Sequence, residues 1–280
     1  MTVNEIYQSG LKLLENNNIE NSKFEAQSLL QKAFSLDRVG FIIHKTDKAD
    51  ENCSHNFLNF IEKRISGEPL QYILGEWSFM GFDFKVGRGV LIPRDDTEVV
   101  VNLCIDFLES RTDKKTVDLC SGSGAIAVAL DKISGAKVTA VEIDETAFSY
   151  LETNVKENNS SVKPVMADAL KICDTFADGG LDLIVSNPPY IKSADIETLQ
   201  KEVQLEPRLA LDGGEDGCDF YREIVSRWSR KLKKGGALAF ELGEGQADAV
   251  KALMTEQGFS DFKISLDFGG VQRAIIGTLL

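Results

Sequence analysis

Residues 116–142 read TVDLCSGSGAIAVALDKISGAKVTAVE. A short apolar run, Thr116–Leu119, meets the glycine turn Cys120-Ser121-Gly122-Ser123-Gly124. A helical stretch opens at Ala125, and a second apolar run, Lys137–Val141, ends on Glu142. Strand, turn, helix and strand in this compass predict a βαβ unit with parallel strands. Glycines at such a turn let the backbone pass close to a ligand, and the helix N-terminus offers unpaired N–H groups. Glu142, closing the next strand, sits where a carboxylate accepts hydrogen bonds from two ribose hydroxyls in a doubly wound fold.

The turn is not the dinucleotide G-x-G-x-x-G, since Ile126 follows Ala125 with no third glycine. No Gly-Lys-Ser/Thr follows either, which excludes a P-loop. A shorter D-L-x-x-G-x-G turn suits a nucleoside without a pyrophosphate, such as S-adenosylmethionine. The competing reading is a turn whose glycines serve packing alone, and the placement of Glu142 counts against it. Asp168 follows a third apolar stretch, Val162–Met166. It would accept from an adenine amino group while Ala169 offers its N–H to a ring nitrogen, or else simply cap the next element.

Outward from this core, strands and helices alternate. Helices are expected at Val99–Leu108, Phe148–Glu157, Phe220–Leu232 and Ala247–Glu256, and strands at Leu181–Ser186 and Ala237–Leu242. The pattern predicts an α/β, Rossmann-like doubly wound domain with a mostly parallel sheet covered on both faces. Residues 1–66 carry three helical stripes, around Ile6–Leu14, Phe24–Phe34 and Phe57–Ile65, broken by Asn16-Asn17-Asn18 and by Asp47–Asn52. After Gly67-Glu68-Pro69, an aromatic and β-branched texture from Gln71 through Val86 reads as a hairpin. The expected division is an all-α domain over 1–66, a β-hairpin linker over 67–92 and a catalytic domain over 93–280.

Asn187-Pro188-Pro189-Tyr190 closes the apolar strand Leu181–Ser186, so it opens onto the same crevice as the glycine turn. Asn187 offers an amide carbonyl, Pro188 a carbonyl with no competing N–H, and Tyr190 a flat aromatic wall. Two carbonyl oxygens can take both hydrogens of a planar –NH2 group and aim its lone pair at a methyl sulfonium. Amide and aryl amine nitrogens are poor nucleophiles, so placement and electrostatic preorganisation carry the chemistry. A proline-rich turn with Asn as turn former is the plain alternative.

The net charge of −13, from 31 Lys and Arg against 44 Asp and Glu, disfavours nucleic acid as principal ligand. Residues 1–90 hold 10 basic and 12 acidic side chains, so the acid surplus lies downstream. Five scattered cysteines without C-x-x-C favour reduced thiols in a cytosol over disulfides or zinc. His44 and His55 lie far from the crevice motifs, so no metal site and no hydrolase pairing are expected. No apolar run reaches membrane-spanning length, and the N-terminus lacks a secretory pattern. Cys120 reads as a compact turn residue, not a nucleophile. Trp77, Phe79, Phe82 and Phe84 form either a partner-docking surface or, more simply, packing, and Gly213-Gly214 and Gly217 mark a loop that covers the substrate or merely connects.

With these residues in hand, the chain resembles the PrmC/HemK family, protein-(glutamine) methyltransferases that modify bacterial peptide chain release factors. The likeness rests on Glu68–Gly75 (E-P-L-Q-Y-I-L-G), Gly89–Arg94 (G-V-L-I-P-R), Asp118–Gly124, Ser186–Ile191, Glu202-Val203 through Glu206-Pro207, Gly213-Gly214, Asp216-Gly217 and Tyr221-Arg222. It implies methyl transfer from S-adenosylmethionine to the side-chain nitrogen of the glutamine in the Gly-Gly-Gln motif of class 1 release factors. It also implies that the helical domain and hairpin help hold that protein, with no direct nucleic-acid or membrane partner and a monomer in the cytoplasm. By position, Cys120, Ser121, Gly122, Ser123, Gly124, Glu142, Asp168, Ala169 and Asn187 would contact the cofactor. Asn187, Pro188, Pro189 and Tyr190 would contact the glutamine, with Asn187, Pro188 and Tyr190 catalytic. The family usually continues Pro-Arg with Pro-Glu-Thr-Glu; here Asp95-Asp96-Thr97-Glu98 stands there, which keeps an acid at 96. The same chemistry on adenine or on a ribosomal-protein glutamine, and nucleoside binding without catalysis, are the rival readings.

Overall fold

The computed structural model describes residues 1–280. Contacts divide the chain into two units, Met1–Glu76 with Gln200–Leu205, and Trp77–Leu199 with Glu206–Leu280. The first unit is helical: α1 (Val3–Asn16), α2 (Ser22–Phe34), α3 (Arg38–His44), α4 (Glu51–Ile65) and α5 (Leu70–Leu74). Thr2 and Glu5 close a reciprocal capping box at the start of α1, and Asp50 caps α4 through the Cys53 N–H. Gly10 lets α1 approach α4, because a Cβ there would lie 2.4 Å from the buried Phe57 ring. Arg64 pairs with Glu25 at 2.6 Å and with Glu202 at 2.8 Å, which ties the short returning segment into this unit.

Two local elements differ from the sequence reading. Helix α3 carries no helical stripe toward a core, since Val39, Ile42 and Ile43 are exposed; Asp37 starts it by accepting the Gly40 N–H. Residues 70–74 are helical and not part of the hairpin. Pro69 fixes an extended entry, Leu70 and Ile73 are buried one turn apart, and Gly75 at φ 75° ends the turn in the left-handed region.

The hairpin proper is β1 (Glu76–Phe79) and β2 (Phe82–Lys85), joined at Met80-Gly81 with φ of 51° and 80°, the signs a tight two-residue hairpin turn requires. Phe79 and Phe84 are buried, and Trp77 and Phe82 pack on the same apolar cluster, which is the packing alternative for these aromatics.

The second unit continues with α6 (Thr97–Glu109), β3 (Lys115–Leu119), α7 (Ala125–Ala129), β4 (Lys137–Glu142), α8 (Glu145–Glu157), β5 (Lys163–Met166), β6 (Leu181–Ser186), the short α9 (Lys201–Gln204, in the helical unit), α10 (Asp219–Trp228), β7 (Leu232–Glu241), α11 (Ala247–Glu256), β8 (Phe259–Leu266) and β9 (Gln272–Leu279). The sheet order is β5-β4-β3-β6-β7-β9-β8, parallel from β5 to β7 and antiparallel beyond. It is a doubly wound α/β fold. Alternate residues feed two cores: Leu183, Val185, Ala237 and Ala239 join one cluster, and Val117, Leu119, Ile184 and Leu238 the other. Helix α10 stops at Trp228, four residues before the expected end, because Leu232 already begins β7.

Register decides where the site lies. Leu119 pairs with Val141 and with Ser186, Ser186 with Phe240, and Glu142 with Met166. Five strands therefore end at one level, and the order reverses between β3 and β6.

Trp228 is fully buried against Phe176, and its Nε1 donates to the Ala169 carbonyl at 2.9 Å. Trp228→Phe keeps most of the apolar contact but leaves that carbonyl without its donor. Denaturant titration should show a loss of about 1–3 kcal/mol; an unchanged midpoint would mean that the bond contributes nothing.

Candidate active site

A cavity of about 240 Å³ opens at this strand level within the second unit. Its walls come from residues 89–93, from the turn after β3, from the ends of β4 and β5, and from Asn187, Pro189, Pro207 and Leu209. Cys120, Ser121, Gly122, Ser123, Glu142, Asp168, Ala169 and Asn187 all border it. Gly124, Pro188 and Tyr190 are not among the lining residues.

The turn after β3 bends sharply. Cys120 holds φ 58°, unusual for a side chain with a Cβ, and Gly122 and Gly124 hold 55° and 84°. A Cβ at Gly122 would meet nothing within 4 Å, so that glycine serves its φ and leaves the backbone open toward the cavity. At Gly124 a Cβ would lie 2.5 Å from Leu151 Cδ1, so this glycine lets α7 start against α8. Burial, followed by the Glu142 charge, pushes the Cys120 thiol up, which keeps it protonated.

Glu142 is 7 % exposed and is pinned by backbone: Oε2 accepts the Gly122 N–H at 2.8 Å, and Oε1 accepts those of Ile143 and Asp144 at 2.8 Å. A carboxylate has roughly four acceptor directions, so one remains on Oε2 for a ligand hydroxyl. Ile143 beside it is half exposed and apolar, and Leu170 lines the cavity as well. A carboxylate for hydroxyls, an open glycine backbone and apolar faces for a flat ring suit an adenosyl group. Asp168 borders the cavity and does not cap the next element, Ile172–Thr175, whose N-cap position is Lys171: its Oδ1 takes the Leu170 N–H, and its Oδ2 pairs with Lys171. Burial opposes ionisation of Asp168, but these bonds outweigh it and hold the carboxyl below its ordinary range.

The Asn187–Tyr190 segment is braced from beneath. A Cβ on Gly213 would lie 2.7 Å from Tyr190 Cα, and one on Gly217 would lie 2.4 Å from the Tyr190 carbonyl oxygen. Gln246 Nε2 donates to that same oxygen at 2.9 Å. The glycine-rich loop thus packs closely on the backbone of the motif. Glu206 is buried, accepts the Ile92 N–H at 3.0 Å and pairs with Arg94, which joins two motifs remote in sequence at the cavity wall.

Sequence reasoning missed Thr97 and Glu241. Asn187 Nδ2 donates to Thr97 Oγ1 at 3.4 Å, Thr97 Oγ1 donates to Glu241 Oε2 at 2.6 Å, and the Tyr190 hydroxyl donates to Glu241 Oε1 at 3.1 Å. Glu241 is 1 % exposed at the end of β7; burial, only partly offset by the two hydroxyls, raises its carboxyl to about 7. Only an acid at a strand end signalled this position, and many strand ends carry one. Asp96 turns to Arg273, 3.4 Å away. Among the described residues, no His, Cys, Asp and Glu side chains gather as a metal-holding group.

Comparison with known proteins gives the family. A model described as the PrmC N-terminal domain matches residues 5–75, and one described as a methyltransferase small domain matches 94–215. A protein of Geobacter sulfurreducens named release factor glutamine methyltransferase is 40% identical over 263 residues, covering 93% of this chain and 91% of that protein. One of the same name from Clostridium acetobutylicum is 33% identical, covering 99% and 98%. A solved methyltransferase from Pyrococcus furiosus shares the fold, with a TM-score of 0.55, 22% identity, and coverage of 72% of this chain and 90% of its own.

Asp118 offers a clean electrostatic test. It is fully buried on β3, its Oδ2 takes the Ser121 hydroxyl, and its Oδ1 has no partner. Burial raises its carboxyl to about 7. A folded-state value above the unfolded one, about 4, means that folding favours the protonated form, so stability falls as pH rises from about 4 to about 7. Asp118→Asn removes that dependence. Melting temperatures should therefore move in the variant's favour between pH 5 and pH 8, and a difference independent of pH would contradict the assignment.

Proposed function

The chain belongs to the release factor glutamine methyltransferase family, and from that premise we propose the reaction in full. It methylates the side-chain amide nitrogen of the glutamine in the Gly-Gly-Gln motif of class 1 peptide chain release factors. S-adenosylmethionine is the methyl donor, and when bound it supplies an electrophilic methyl on a sulfonium sulfur. The single observation supporting this reading is that Asn187 lines the same cavity as Glu142 and the glycine turn.

The assigned roles follow from the chemistry of each group. Glu142 Oε2 accepts from a ribose hydroxyl, Cys120 to Gly124 supply the turn that the cofactor crosses, and Asp168 and Ala169 border the adenine. Asn187 Oδ1 and the Pro188 carbonyl accept the two amide hydrogens of the glutamine, with Pro189 lining the cavity beside them and Tyr190 next in the motif. Held this way, the nitrogen loses conjugation with its own carbonyl and presents its lone pair. A nitrogen–carbon bond forms as the sulfur–methyl bond breaks, and a proton leaves the nitrogen afterwards. No strong base is needed at the outset, because the alkylated nitrogen is acidic. The products are N5-methylglutamine and S-adenosylhomocysteine.

The functional division we assign is substrate holding by residues 1–66, linkage by 67–92 and chemistry by 93–280. A protein substrate also accords with the net charge of −13, which repels phosphate backbones. No helix is long and apolar enough to cross a membrane.

Two measurements test this. Incubation of purified release factor with enzyme and S-adenosylmethionine, followed by peptide mass spectrometry, should add one methyl to the Gly-Gly-Gln peptide. Methylated DNA with an unmodified peptide would reverse the substrate. Asn187→Ala should bind S-adenosylmethionine within about threefold of wild type and lose at least about 100-fold in turnover, the order expected for a preorganised polar contact. Normal turnover in that variant would remove the proposed grip.

A further inference from the structure

The orientation of an asparagine amide is a chemical question. Its two ends differ only in O against NH2, yet one end accepts and the other donates. At Asn187 the difference decides whether an incoming –NH2 group is gripped or repelled. The neighbouring groups supply the answer. Thr97 has a single hydroxyl proton, and it is committed to Glu241 Oε2 at 2.6 Å. Its oxygen can then only accept, so the Asn187 atom facing it must be Nδ2, as the 3.4 Å contact has it. Asn187 Oδ1 is left for the cavity. The other Glu241 oxygen is taken by Tyr190, whose phenol burial and the Glu241 charge keep protonated and therefore a donor.

We propose that Glu241 and Thr97 are positioning residues that set the direction of the Asn187 amide, with one buried carboxylate governing both Asn187 and Tyr190. This rests on the methyl-transfer reading above and adds the groups that make the clamp one-directional. Neither residue needs to touch the glutamine.

The relay has a built-in condition. A hydroxyl passes its direction on only while its partner is a pure acceptor. Once Glu241 is protonated it can donate to Thr97, whose own proton is then free to point at Asn187 and reverse the amide. Glu241 is faced by Asp96 and Thr97 at the start of α6, by Tyr190 after β6, by Tyr221 on α10, which donates to its backbone oxygen at 2.9 Å, and by Arg273 on β9. Arg273 favours the charged form, Asp96 opposes it, and burial, the largest influence, leaves the carboxyl at about 7. The clamp is therefore expected to be fully set only above neutrality.

The test uses the full chain with S-adenosylmethionine and release factor, and a second readout that needs no activity. In ¹⁵N-labelled protein, the Asn187 side-chain NH2 resonance should titrate between pH 6 and pH 8 in wild type and not in Glu241→Gln or Thr97→Val. Wild-type turnover should fall as pH drops through the same range, and Glu241→Gln should show no such acid limb. Thr97→Val should cut kcat at least about tenfold at pH 8, while the S-adenosylmethionine Kd, the release-factor KM and Tm stay within threefold or a few degrees. Thr97→Ser, which restores the hydroxyl, should recover most of the turnover. The relay is overturned if Thr97→Val keeps its turnover, if it loses cofactor affinity in proportion to rate, or if the Asn187 resonance ignores Glu241. A wild-type protein that shows the titration but never methylates release factor would support the relay and count against the substrate.

Discussion

Parallel strands that end level with one another impose the constraint on which this site depends. Leu119, Val141, Ser186 and Phe240 are neighbours across four strands, so whatever follows each strand is released at the same edge. The turn after β3, the acid closing β4 and the Asn-Pro-Pro-Tyr segment after β6 are far apart in sequence and share one cavity for that reason. Because the sheet order reverses between β3 and β6, the connections there leave toward opposite faces and a crevice remains between them. Function is placed by topology before any side chain is chosen.

What underlies the crevice is costly to fold. Asp118 and Glu241 are buried acids whose carboxyl groups burial raises to about 7, and Cys120 sits in a left-handed conformation that glycine would hold with less strain. Such local expense is common where geometry must be fixed before substrate arrives. The remainder of the unit offsets it with two apolar layers, one on each face of the sheet, and with close glycine contacts beneath Pro189 and Tyr190. Stiff backing of that kind matters in a reaction that depends on placement more than on acid or base strength.

Much of this was legible in the sequence, and the failures share a cause. Strand Leu181–Ser186 and helix Ala247–Glu256 have the limits that hydrophobic pattern alone gives, because the strand is buried on both faces and the helix buries one regular face. The glycine turn, Glu142 and Asn187 were legible for a local reason: a special backbone or a strand end marks them. Helix α3 was not, since its apolar side chains are exposed and no core dictates its period. Residues 70–74 were read with the hairpin because aromatic and β-branched residues favour strands, while Pro69 and Gly75 close a helical turn around them. Thr97 and Glu241 lie 144 positions apart and meet only once α6 packs beside β7, so no spacing rule connects them. The return of 200–205 to the helical unit is likewise visible only in three dimensions, through Arg64 and Glu202.

The account stands or falls on which atoms face the substrate nitrogen. A crystal structure of the protein with S-adenosylhomocysteine and a Gly-Gly-Gln peptide reads this directly. The predicted result places Asn187 Oδ1 and the Pro188 carbonyl oxygen each about 3 Å from the glutamine side-chain nitrogen, with that nitrogen in line with the sulfur. A glutamine nitrogen turned away from both oxygens, or a cavity too closed on the sulfur side to admit a flat amide, would contradict it.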